Sequence, residues 1–124
     1  MLELSAKEQH ECKAKHNSDF FNTIETSKFP DWAVVVLFYR GIHLIESCMA
    51  NFNIHSNDHS KRKNTMNDNV EFYTKDMIKS YIKLERLAHR ARYKPEYAID
   101  ECEISTAQDC LDEIKSWYDR NKNT

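Results

Sequence analysis

The stretch WAVVVLFYRGIHLIESCMANF, running from Trp32 to Phe52, decides the fold. Trp32, Val36 and Tyr39 continue at helical spacing into His43, Glu46 and Ala50, while Val35, Phe38, Ile42, Ile45, Met49 and Phe52 line the neighbouring stripe. A helix apolar on nearly every side belongs in the middle of a bundle. The expected central helix spans about residues 31–52, with Ala33, Arg40 and Ser47 as its only solvent-facing seam. Tyr39, His43 and Glu46 are then the polar groups expected inside the core, where each must find a hydrogen-bond partner.

Working outward, composition supports an all-α class. Gly41 is the sole glycine, and Pro30 and Pro95 are the two prolines. Hairpin turns and phosphate-cradling loops need residues tolerant of positive φ, and the chain has almost none. Phe29-Pro30-Asp31 breaks the chain and starts the central helix, since proline suits a first helical turn. Before it, Leu4, Cys12, Phe20 and Ile24 give residues 3–26 a sparse apolar face, as expected of an outer helix. After it, Asn51 to Ser60 is a loop rich in turn and cap formers, leading into a short helix at about 58–67.

The next long helix, about 70–93, places Met77, Tyr81, Leu84, Ala88 and Ala91 on one side. Arg86, Arg90 and Tyr93 share another face, with His89 beside them. Ser105-x-x-Gln108 reads as a capping box for a closing helix whose stripe is Ile104, Ala107, Leu111, Ile114 and Tyr118, widened by Cys110 and Trp117. The expectation is one domain over residues 1–124, an antiparallel bundle of four long helices plus one short helix, frayed at about 120–124.

With 18 basic and 20 acidic residues the formal charge is −2, which does not suit a duplex DNA binder, so any nucleic-acid contact is local. Cys12, Cys48, Cys102 and Cys110 form no Cys-x-x-Cys pair and read as reduced thiols. Met1 to His10 lacks an apolar signal core, and the run Trp32 to Tyr39 is too short to span a bilayer, so a soluble, cytoplasmic chain without membrane contact is expected.

Four stretches give the chain a resemblance to the HEPN superfamily of small helical proteins. They are Asn17-x-x-Phe20-Phe21; the run from Trp32-Ala33 through Phe38-Tyr39 to Ile42-His43-Leu44-Ile45-Glu46; His55-x-x-x-His59-x-x-Arg62; and Tyr81-x-x-Leu84 with Ala91-Arg92-Tyr93. The resemblance implies a bundle of four to five helices, a homodimer, a place in prokaryotic toxin, antiphage or RNA-processing systems, and a cognate antitoxin or other protein partner. In catalytic members it implies metal-independent RNA cleavage by an arginine followed, after about four to six residues, by a histidine. Here the sequence departs: Arg40 and Arg86 precede His43 and His89 with two residues between, and no arginine has a histidine at the family's distance.

The candidate residues follow from chemistry as much as from resemblance. A shielded histidine can act as general base on a ribose hydroxyl while an arginine stabilises the developing phosphorane. His59 with Arg62, or His43 with Arg90 or Arg92, are the pairs that folding could assemble. Lys61, Arg86, Arg90, Arg92 and Tyr93 are candidate contacts to phosphate or base. Against these stand structural roles: His43 and Glu46 fixing helix register, His59 capping a helix, and Arg92-Tyr93 closing one. His55, Asp58 and His59 offer metal-ligand chemistry in one loop, but neither a metal nor a cofactor is expected. The expected function is binding of RNA, nucleotide or a protein partner near residues 55–62 and 86–93; the alternatives are a divergent ribonuclease and a purely structural homodimeric module.

Overall fold

The computed structural model describes residues 3–124, which are all-helical with no strand. Met1 and Leu2, the start of the segment read as lacking a signal core, lie outside the described residues. The helices are α1 (Ala6–Phe21), α2 (Pro30–Ala50), α3 (His59–Asp68), α4 (Val70–Tyr73), α5 (Lys75–Tyr93) and α6 (Glu101–Asn121).

Local chemistry sets most boundaries. Ser5 and Glu8 cap α1 reciprocally, each side chain accepting from the other's backbone N–H. Pro30 occupies the first turn of α2, where its missing N–H costs nothing. Asp58 Oδ1 accepts from Lys61 N at 2.7 Å to start α3. The expected helix from residue 70 is interrupted: Thr74 adopts φ 64°, separating the single turn α4 from α5, and its hydroxyl caps Met77 N. The last helix opens earlier than Ser105-x-x-Gln108 suggests. Asp100 and Glu103 form the capping box instead, four residues upstream of Ile104 in effect adding a turn.

Helix α2 packs against α1, α5 and α6, and α5 also packs against α6. Phe38, Ile45, Met49, Tyr81, Leu84, Ile114 and Trp117 are fully enclosed between them. Each such side chain contributes roughly 1.5–3 kcal/mol relative to exposure, and α2 supplies more buried residues than any other helix. Gly41 lets α6 approach: a Cβ there would lie 3.2 Å from Ile114 Cδ1 and 3.6 Å from Leu84 Cδ2. Helix α2 is long and apolar enough to cross a membrane by composition, but most of it is buried in the bundle.

Two faces differ from expectation. Ala33 and Ser47, assigned to a solvent seam of α2, are completely buried, whereas Trp32 is 55% and Tyr39 38% exposed. A helix apolar all round gives no phase to its periodicity, so only its neighbours choose the outward side. Leu4, just before α1, and Cys12 and Phe20 within it are exposed. The helix instead turns Lys7, His10, Glu11 and Ala14 inward, held by Lys7 Nζ donating to the Lys122 carbonyl, His10 against His43, and Tyr118 donating to Glu11.

Candidate functional site

Glu46, near the end of the central helix, is 2% exposed, and Arg62 on α3 is 5% exposed. Arg62 Nε donates to Glu46 Oε1 at 2.7 Å, and the other carboxylate oxygen accepts from Ser56 N at 3.3 Å. A charge enclosed this deeply is tolerated because it is paired and hydrogen-bonded. Arg62 Nη1 reaches the Tyr81 hydroxyl at 3.0 Å and His59 Nδ1 at 3.1 Å. One guanidinium thus ties α2, α3 and α5 together. Burial pushes the Tyr81 hydroxyl up to about 12, so it stays protonated.

The arginine also fixes the state of His59. Arg62 Nη1 at 3.1 Å and the Tyr81 hydroxyl at 3.2 Å both face His59 Nδ1, and since a guanidinium only donates, this arrangement favours Nδ1 as the acceptor and the ring proton on Nε2. Burial lowers the affinity of His59 for a second proton, reinforced by Arg62, Arg92 and Lys63 and opposed by Glu85. His59 is therefore neutral at pH 7 and offers an N–H donor at Nε2. Glu85 Oε1 accepts from Lys63 at 3.2 Å, while its Oε2 is enclosed without a hydrogen bond, 3.7 Å from His59 Nδ1.

His59 lines a groove of about 510 Å³ together with Lys83, Glu85, Arg86, Leu87, His89, Arg90 and Arg92. The basic residues come from successive turns of α5, so one helix face supplies the charge. Arg90 is partly neutralised by Glu103 and lies over the Tyr97 ring. Arg92 is held by aromatic chemistry: its Nη1 donates to the Tyr39 hydroxyl at 2.7 Å, and its guanidinium carbon stands 5.1 Å from the Tyr93 ring centroid and 5.5 Å from that of Tyr39. Its Nε donates to the Ala88 carbonyl. Nη2 makes no hydrogen bond among the described residues.

Arg92 is also a wall of a second cleft, of about 310 Å³, lined by Asp31, Trp32, Val35, Ala91 and Tyr93. Tyr93 is 61% exposed. The charged groove and this aromatic notch therefore adjoin at Arg92.

The other candidates fall elsewhere. His43 meets neither Arg90 nor Arg92; its Nδ1 lies 2.9 Å from His10 Nδ1 on α1. The 5.2 Å between the two ring centroids is that contact plus one ring radius on each side, so the nitrogens face head-on and share a single proton. Burial, with His10, Lys13 and Arg62 nearby, lowers the His43 value to about 4. Arg62 is locked inside the bundle, which removes it as a phosphate ligand. Lys61 is exposed on α3 and outside the groove, and Tyr39 is a surface ring rather than a core group. His55, Asp58 and His59 diverge: His55 contacts Asn53, Asp58 caps α3, and His59 turns to Arg62. Lys83, Trp32 and Asp31 join the clefts without having been singled out as ligands. The one available signal was their spacing from Arg86, Arg90 and the helix start. His10 gave none, because 33 residues separate it from its partner.

No family model, curated protein or solved structure matches this chain.

Proposed function

We propose that this chain is a HEPN-like helical bundle that binds single-stranded RNA along the groove between His59 and Arg92. The observation that carries the reading is the convergence of Lys83, Arg86, Arg92 and the His59 N–H on one groove flanked by exposed aromatic rings. Cations that track a backbone beside rings on which bases stack are what single strands require. The family part of the reading is supported by three of the resembling stretches meeting in space: Glu46 with Arg62, Arg62 with Tyr81, and Tyr39 with Arg92.

Binding fits better than cleavage for a chemical reason. A general base needs an open lone pair, and the lone pair of His59 is already taken by Arg62. The nitrogen left to a ligand carries hydrogen and suits a phosphate oxygen. Arg62, whose Nη1 faces that ring, is itself buried and tied to Glu46 and Tyr81.

The test is fluorescence anisotropy of a labelled single-stranded oligoribonucleotide at low salt with chelator, followed by a gel of the same samples. Wild-type protein retains intact RNA, and Arg86→Ala and Arg92→Ala each weaken binding by about tenfold, one charge-assisted hydrogen bond. Absence of retention, or retention indifferent to both substitutions, would overturn the proposal. Cleavage that vanishes in His59→Ala would replace it with the ribonuclease reading.

A further inference from the structure

We propose that the notch between Trp32 and Tyr93 is a base-reading site selective for guanine, so that the bound strand is held by its phosphates in the groove and read in the notch. The inference rests on the RNA-binding reading and deepens it.

Three observations lead there. The notch is lined by two rings that lie largely in solvent, Trp32 at 55% and Tyr93 at 61% exposure, together with the aliphatic Val35 and Ala91. Large aromatic rings left open on a chain with a well-filled core lose apolar burial, and a stacked base restores it. Second, the notch shares Arg92 with the basic groove, so a nucleotide seated in it has its phosphate beside cations.

Third, the polar groups at its edge are of two kinds. Asp31 is a carboxylate acceptor in the first turn of α2, engaged in no ion pair among the described residues. Arg92 is a donor with Nη2 unused. Guanine presents two adjacent N–H donors, N1 and the exocyclic amine, on one edge, and two acceptors, O6 and N7, on the next. A carboxylate meets the first pair and a guanidinium the second. Adenine and cytosine lack the paired donors, and uracil has one imide N–H between two carbonyls that a carboxylate repels. The plain role of Asp31, stabilising the positive end of α2, does not call for a cleft shared with two exposed rings and an arginine.

Trp32 supplies its own reporter, since the chain's other tryptophan, Trp117, is fully buried. Wild-type protein is titrated with three short strands: oligouridylate, the same strand with one guanosine, and the same strand with one inosine, which lacks the exocyclic amine. The guanosine strand is expected to bind about tenfold more tightly than the uridine strand, to quench the exposed tryptophan, and to lose much of that advantage on inosine replacement. Asp31→Asn brings the ratio of guanosine-strand to uridine-strand affinity close to one, whatever its effect on the affinity of both, and Trp32→Ala removes the quenching and weakens the guanosine strand more than the uridine strand. Circular dichroism of each variant verifies the fold. Equal binding of guanosine and uridine strands, or a preference that survives Asp31→Asn, overturns the base-reading site while the RNA-binding groove stands. Failure of every strand to bind overturns both.

Discussion

Arg62 is a side chain with three separate partners and 6% of its side-chain surface exposed, so its removal leaves Glu46, 3% exposed, as an unpaired buried charge. Arg62→Ala should lower the unfolding free energy by about 3–5 kcal/mol, measured by urea denaturation, far more than loss of a surface pair such as Lys15–Asp19. Replacing both charges, as Glu46→Leu with Arg62→Met, should recover most of that loss, because no charge is then stranded. The His10–His43 pair gives the molecule its acid sensitivity. Its folded-state values lie below the ordinary 6.5, that of His43 at about 4, so the unfolded chain binds more protons throughout that interval. Stability should be full above about pH 6.5 and decline as pH falls toward 4. The second proton forces two N–H groups to face each other and drives α1 from α2. A denaturation midpoint in His43→Gln that falls less over this window than in wild type would verify the contribution of the pair, His59 supplying the remainder; an unchanged decline would assign it to other groups.

At the scale of the helix, Gly41 sets how closely α2 and α6 approach. Gly41→Ala adds one carbon against Ile114 Cδ1, which can give slightly, and gains up to about 1 kcal/mol in helix propensity, so its net effect is small. Gly41→Leu adds volume that the packed interface cannot absorb and should cost about 1–3 kcal/mol in chemical denaturation. The elements were legible in the sequence wherever a local signal exists: Pro30 at the start of α2, the cap-rich loop before α3, the stripe from Met77 to Ala88, and the stripe from Ile104 to Trp117. Helix phase was not legible for α1 or α2. One has too few apolar residues to define an inner face and uses polar contacts for it; the other has too many to define an outer face. The start of α6 was misplaced for a related reason, since Asp100 with Glu103 and Ser105 with Gln108 are both acceptable capping pairs by spacing, and tertiary packing of Ile104 selects the earlier one.

For the molecule as a whole, a chain of net charge −2 binds a polyanion only through a local concentration of cations, which α5 supplies on one face. Affinity for a single strand should therefore fall with salt at a log–log slope of about −2, as expected when some three phosphates are neutralised at roughly 0.7 each. A flat response in anisotropy titrations across salt would point to binding elsewhere. The candidate site was readable in part: His59, Arg86, Arg90, Arg92 and Tyr93 are marked by residue type and spacing. Their partners are not, because Tyr81 sits in an apolar stripe and Trp32 and Tyr39 sit in an apolar helix. By itself the sequence determined an all-helical chain with a buried central helix, since glycine scarcity, caps and periodicity act over a few residues and need no distant neighbour. Only the tertiary structure decided that Arg62 turns inward to neutralise Glu46, that His43 is spent on His10, and that Trp32 and Tyr39 face water beside Arg92. Those outcomes depend on which helix face meets which, and a desolvated charge or ring is placed by the partner folding brings to it from far along the chain.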